Sequence, residues 1–598
     1  MIGVNWRFWL PLAALALFAV YSSQKLIRAH VDPDVDSENN YVFTRPLKAR
    51  RGAIRDVRGE ALAMSVPVWD YHLDAVALTN RVVRRRGCPP RPREAIVLSV
   101  ARALGLDYRR VLALADNVRN RYQPLAISSD PDAHALLADS TMVSGVVIEN
   151  RQIRQYPQGR LLSHVIGSIN AEEDGSAGIE LKYDGTLKGL PGEIRGMKDA
   201  LGAELYDKRM TAVDPVPGAD VRLTVDRTVQ FETEKALADG IAEFGAGSGW
   251  ALVMDAETAA VLSMASRPDF HPLNFGSTAP NATLNRNVAY TYEPGSVMKV
   301  VTAAAAIDSG RASPGTLYAT NRDDKRYYAL PGDGSHKWEP LMSVKDAIVH
   351  SSNIVIGKLG VDLGPAKLWE YMRAFGFGAK TGIELPGEET GILRNWKNWD
   401  KKTWSRAPIG QGVAVTAIQL ASAYQAIAND GVRMRPHIIA EIVDGRGKSV
   451  YRHEDEILSR PVKPATARTM RSVMLGVASK EGTARRARIP GYSVAGKTGT
   501  AQKVVGRAYA PGLYRATFCG IVPASAPRLV ILVTLDFDAR TLYHQGGNSA
   551  GVVFRRLGKA VLRYLEIAPD RPEELEELNE DDEVERLMDQ RARRLPAP

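Results

Sequence analysis

Cysteine is nearly absent, with Cys88 and Cys519 the only two in 598 residues. One pairing between them stays open, a cysteine-built metal site does not, and the count leaves the redox compartment undecided. The ten histidines are scattered and no His-Glu-x-x-His occurs, which excludes a metallohydrolase of that type and leaves no metal or cofactor to expect. Long hydrophobic runs are missing except at the start, where Phe8 to Tyr21 is apolar apart from one proline. No aromatic-basic motif accompanies the net charge of +10, so nucleic acid is not an expected partner, and an anionic surface is the simpler use of that charge.

What is present suits a multidomain globular chain. An apolar content of 45% excludes global disorder, and the length predicts two to four domains. Phe8 to Tyr21 is shorter than the roughly 20 residues of a full span. Its edges carry Trp6 and Trp9, then Lys25 and Arg28, and no small-x-small site follows, so residues 1–28 are expected to be a short cytoplasmic end and an uncleaved transmembrane helix. Residues 29–217 read as an acidic linker and a mixed α+β region without a catalytic acid pair. Pro215 to Gly218 is a turn-rich break, and residues 218–567 carry helices and apolar strands in an α/β (α+β) arrangement. Trp250 to Asp255 and Ala260 to Ala265 are expected as central strands, Arg93 to Asn120 as helical, and residues 568–598 as a charged tail that is disordered or a solvated helix.

The chemistry gathers at Glu293-Pro294-Gly295-Ser296-Val297-Met298-Lys299. Pro294 and Gly295 precede a helix-compatible stretch from Val297 to Ile307, which puts Ser296 at a helix start and Lys299 on the same face three residues later. A serine hydroxyl is a poor nucleophile at neutral pH, and a buried amine that can lose its proton is one way to activate it. The spacing alone decides little, because Ser22 and Lys25 share it. Two further groups follow in order, Ser351-Ser352-Asn353 at a helix end and Lys497-Thr498-Gly499-Thr500 along a strand, and the three together match the active-site signature of β-lactamases and penicillin-binding proteins.

In such a site Ser296 would attack a carbonyl and Lys299 would take its proton. Ser351 would relay a proton to the leaving amine, and Lys497 would hold Lys299 partly deprotonated by its charge. Thr498 and Thr500 offer hydroxyls to a substrate carboxylate, Gly499 lets a substrate backbone lie close, and Asn353 can donate to a substrate amide. The backbone N–H groups of Ser296 and Thr500 would form the oxyanion hole.

Two other patterns fail on context. Gly491 to Thr498 fits the Walker A expression, but Tyr492 and Val494 are strand formers, and Gly499 directly after Lys-Thr would damage the required helix start. Gly547-Asn548-Ser549-Ala550-Gly551 fits a hydrolase nucleophile elbow, yet the last histidine, His544, precedes the serine instead of following it.

From about Arg50 to Leu565 the chain resembles the class B penicillin-binding proteins, monofunctional cell-wall transpeptidases. Beyond the three motifs, the resemblance rests on Gly410-Gln411-Gly412 with Thr416 to Leu420, and on Arg51-Gly52-Ala53-Ile54, Arg154, His164 to Gly167 and Gly178-Ile179-Glu180 in a pedestal region. Asp56-Val57-Arg58-Gly59 and Ala550-Gly551-Val552 depart from the family's usual wording, outside the catalytic triple. No glycosyltransferase-like segment precedes residue 220, which argues against class A. The resemblance implies a penicillin-binding transpeptidase domain with an antiparallel sheet flanked by helices, behind a dimerisation-like pedestal. It implies acylation by peptidoglycan stem peptides on lipid II-derived glycan strands, inhibition by β-lactams, and a single-pass place in the inner membrane with the catalytic domain outside the cytoplasm. Tyr156 to Gly192 looks most like the septal division enzyme, which implies a membrane glycosyltransferase of the shape, elongation and division family and other divisome proteins as partners. The elongation enzyme, a D,D-carboxypeptidase and an inactive divisome scaffold are the alternatives.

Overall fold

The computed structural model describes residues 19–23, 42–75, 78, 93–118, 122–138, 145–198, 204–327, 329–334, 338–506, 508–538 and 545–574. The expected anchor over residues 1–18, the linker at 31–40, Cys88, and most of the charged tail lie outside them. Among the described residues no helix is long and apolar enough to cross a membrane. The chain divides into two compact units, Met1–Gly52 with Lys188–Ala219, and Ala53–Leu187 with Asp220–Pro598.

The smaller unit is a three-stranded antiparallel sheet with Gly192–Lys198 between Val42–Leu47 and Glu204–Val213. Gly196 lies opposite Phe43, and a Cβ at Gly196 would fall 2.6 Å from the ring, so the glycine gives the aromatic side chain its seat across the strands.

In the larger unit a five-stranded antiparallel sheet runs in the order Val261–Arg267, Ser248–Asp255, Leu529–Asp536, Ala508–Val522, Ala495–Val505. Every residue of Leu529–Asp536 is buried, as its continuous apolar run requires of a central strand covered on both faces. Strand alternation sorts the cover. Phe518 meets Phe554 of the terminal helix Ala550–Tyr564 at 4.7 Å, while Cys519, one residue on, turns to the other face, where Tyr424 of the helix Ala417–Ala428 lies. All twelve residues of Ala417–Ala428 are buried, the two glutamines by donating to backbone carbonyls, and its start is closed by a capping box between Thr416 and Gln419. The expectation of two central strands at 250–265 is half right: Ser248–Asp255 is internal, but Val261–Arg267 forms an edge.

A second sheet of this unit is mixed, ordered Ser449–Arg452, Ile439–Val443, Asp220–Leu223, Ile54–Arg55, Ala61–Asp74, Tyr122–Ser128, with Val146–Gln155 also paired to Ala61–Asp74. Ala61–Asp74 is one strand of 14 residues that passes through Pro67, opposite Gln152. The helix expected from Arg93 to Asn120 is two, Arg93–Ala103 and Tyr108–Asp116. Gly105 at φ 62° breaks it, and the Asp107 carboxylate restarts it by accepting from the Arg110 N–H.

Candidate active site

The segment carrying Ser296 is pinned before it becomes a helix. Tyr292 and Val415 exchange backbone hydrogen bonds, and the Gly295 N–H donates to Gly410 O at 3.1 Å. Gly295–Met298 then forms a 3-10 turn that runs into the α-helix Lys299–Asp308, whose alanines 303–306 are fully buried. Ser296 is left half-buried at the floor of a cleft of about 430 Å³, which Ser351, Asn353, Thr498 and Thr500 also line.

Lys299 is fully buried below it. Its Nζ donates to Ser351 O at 2.5 Å, to Ser351 Oγ at 3.1 Å and to Asn353 Oδ1 at 2.8 Å. These acceptors converge because the helix Val344–Val349 ends just before Ser351, which takes a left-handed φ of 62°, and a new helix, Asn353–Leu363, begins with Ser352 as its cap. The expected reach of Lys299 is therefore spent on the Ser351-Asn353 turn, beside the serine rather than on it.

The strand Ala495–Val505 pairs on one side only, with Lys497 opposite Cys519 and Gly499 opposite Thr517, so its free edge borders the cleft. Lys497 is fully buried and donates to Thr498 O at 3.1 Å and Thr498 Oγ1 at 3.3 Å. A Cβ at Gly499 would stand 3.1 Å from Pro294 O and from Val297 Cγ1, so on that face the glycine lets the serine turn pack against the strand. That packing sets the turn beside Thr500, whose carbonyl would lie 3.4 Å from a Cβ on Gly295.

Burial drives the electrostatics. It lowers the Lys299 amine from its ordinary value to about 7, against the pull of the Asp333 carboxylate, which favours the charged form. Lys497 is pushed well below its usual range, by burial first and by the charge of Lys299 second. Lys497 is expected to lower Lys299 by its charge, whereas in the structure desolvation alone brings that amine down.

Three contributors had no role expected from the sequence. Asp333 accepts from the Asn353 N–H at 2.5 Å, the Ile354 N–H at 3.3 Å, the Ser352 hydroxyl at 2.6 Å and the Trp338 indole at 3.1 Å, while the Asn353 amide donates to Gly332 O at 2.8 Å. Thr483 shares a hydroxyl contact of 3.1 Å with Thr498 and donates to Val349 O at 3.3 Å. Glu293 accepts from the Gly412 N–H at 2.8 Å and the Tyr509 hydroxyl at 3.0 Å. The Gly/Asp-rich composition of residues 331–335 marked a loop, and nothing in it marked the partner. Ala495–Val505 is followed by another strand, so the Walker A pattern has no helix to open, and Ser549 is fully buried with its hydroxyl on Gln545 O.

A serine at a helix start, a buried amine able to be neutral near pH 7, and a strand edge along one cleft define a serine acyl-transferring enzyme. The family model for the penicillin binding protein transpeptidase domain matches residues 249–559, and that for the penicillin-binding protein dimerisation domain matches 46–223. Penicillin-binding protein PbpB of Mycolicibacterium smegmatis is 33% identical over 71% of this chain and 67% of its own length. The "Probable peptidoglycan D,D-transpeptidase PbpC" of Pseudomonas aeruginosa is 29% identical over 95% of this chain and 96% of its own. Penicillin binding protein 3 of Mycobacterium tuberculosis, solved with ampicillin, superposes with a TM-score of 0.67 at 27% identity, covering 89% of this chain and 99% of that one. The chain belongs to the class B penicillin-binding proteins. It is a serine-type peptidoglycan D,D-transpeptidase that acts through its penicillin-binding transpeptidase domain.

Proposed function

We propose that Ser296 is the acylated residue and that the reaction runs through the two lysines and the Ser351-Asn353 turn. Ser296 Oγ attacks the carbonyl carbon between the last two D-alanines of a donor stem peptide, and its proton passes to neutral Lys299. The oxyanion faces the N–H groups of Ser296 and Thr500. Collapse breaks the peptide bond, and the departing D-alanine amine takes a proton through Ser351, whose hydroxyl lies 3.1 Å from Lys299 Nζ. An amine of an acceptor stem peptide then attacks the ester, forming the cross-link and returning the proton to Ser296. Lys497 raises the positive potential beside the serine, while Thr498 and Thr500 hold the donor carboxylate, Gly499 keeps the serine turn against the strand, and Asn353 orients the donor amide. The observation that supports this reading best is the buried Lys299 amine, drawn down to about 7 and held by Ser351 and Asn353. Labelling with a fluorescent penicillin tests it: wild type gains one covalent label and Ser296→Ala gains none. Undiminished labelling of that variant would remove Ser296 from the role.

We further propose a septal role, with residues 1–28 as the membrane anchor, 29–217 as the pedestal, 218–567 as the catalytic domain outside the cytoplasm, and a membrane glycosyltransferase and other divisome proteins as partners. The likeness of Tyr156 to Gly192 to division enzymes supports this. Depletion is expected to give filaments with the protein enriched at midcell, and rounded cells that still divide would assign it to elongation.

A further inference from the structure

The hairpin formed by Ile439–Val443 and Ser449–Arg452 brings together three side chains that the transpeptidase reaction does not use. His437 enters its first strand and His453 leaves its second. The His437 carbonyl accepts from the Val261 N–H at 2.9 Å, and the His453 N–H donates to Ala440 O at 3.0 Å, so both backbones are fixed. Their rings stack with centroids 3.4 Å apart and planes 9° from parallel. Asp455 lies two residues on, its Oδ1 3.7 Å from His453 Nε2.

The donor atoms are suited to a metal. One ligand atom from each of His437, His453 and Asp455 lies within 4.8 Å of the others. His453 Nε2 is buried and has no hydrogen-bond partner, an expensive state for an imidazole nitrogen unless something else takes its lone pair. His437 Nδ1 stands 3.4 Å from Arg435 O, and a proton there leaves Nε2 as the ligand atom, the usual way a backbone carbonyl sets the tautomer of a metal-binding histidine. Arg435, two residues before His437, pairs with Glu456 at 2.6 Å.

We propose that His437, His453 and Asp455 form a binding site for a borderline divalent ion such as Zn²⁺, away from the acylation cleft. Two imidazoles and a carboxylate are the donor types such an ion prefers, with a water in the fourth position. Tetrahedral coordination needs ligand atoms about 3.3 Å apart. Binding therefore draws Asp455, half exposed and outside any strand, inward, and turns the two rings out of their stack so that their lone pairs converge. The ion would tie the two ends of the hairpin together beside Val261–Arg267, the edge of the catalytic sheet that His437 contacts.

The test uses the full chain, freed of metal with a chelator and titrated with Zn²⁺ against a chromophoric competitor, with Co²⁺ absorption as a direct view of the ligands. Wild type is expected to bind one equivalent, and His453→Ala to bind at least about tenfold more weakly, with altered Co²⁺ bands. Asp455→Asn, a surface change that spares packing, is expected to weaken binding in the same direction. Each variant must still take up fluorescent penicillin, which reports folding independently of the hairpin. Equal stoichiometry and affinity in wild type, His453→Ala and Asp455→Asn would overturn the site, as would a wild-type protein that binds no ion.

Discussion

The Asp333 carboxylate accepts the Asn353 backbone N–H at 2.5 Å, so a loop residue outside the three motifs holds the turn on which the Lys299 amine rests. The same carboxylate stabilises the charged form of that amine. Position and basicity of the Lys299 amine are thus tied to one acidic side chain.

Asp333→Asn separates the two effects. An amide lacks the charge that favours protonated Lys299, so the pH midpoint of acylation falls. The loss of charge-assisted hydrogen bonds, worth about 1.5–3 kcal/mol each, loosens the turn and lowers the limiting rate about 10- to 100-fold. Penicillin acylation rates measured across pH decide the matter, and an unchanged midpoint would detach Asp333 from Lys299.

Acylation of the wild type should rise with pH and be half-maximal near 7. The sign follows from the role proposed for Lys299: burial lowers the lysine, the neutral amine would take the proton, and the neutral fraction grows as pH passes that value. Lys299→Ala is expected to acylate at least about 100-fold more slowly, measured by stopped-flow or timed labelling. A flat profile between about pH 6 and 8 would exclude Lys299 as the base.

Gly410 and Gly412 make a paired test of the turn behind Ser296. Both have left-handed φ, 79° and 76°, so alanine at either costs about 1–2 kcal/mol of backbone strain. At Gly410 the new Cβ would also fall 2.2 Å from Gly295 O, whereas at Gly412 its nearest neighbour is Thr403 Cγ2 at 3.9 Å. Thermal melts should therefore show Gly410→Ala as clearly the less stable, with acylation lost as Gly295 is displaced. Equal melts would mean the Gly295–Gly410 contact carries no weight.

Much of the site was legible because its parts are local. Pro294-Gly295 before an alanine-rich helix places Ser296 and Lys299 within one turn, and a strand-forming context around Lys497 separates it from a P-loop without any long-range knowledge. The apolar composition of Leu529 to Leu535 reads as a strand without any long-range knowledge. Strand edges were not legible: the composition of Val261–Arg267 says that the strand is covered, and nothing about whether a neighbour pairs beyond it.

Covalent order and side-chain type therefore determined which residues can do chemistry here, since nucleophilicity, charge and helix or strand preference are properties of short stretches. Only the tertiary structure decided what surrounds them. Asp333 under Asn353, Thr483 against Thr498, Gly499 beneath the serine turn and His437 stacked on His453 are contacts that no short stretch announces, and the desolvation that brings Lys299 down to about 7 exists only once the chain has folded around that side chain.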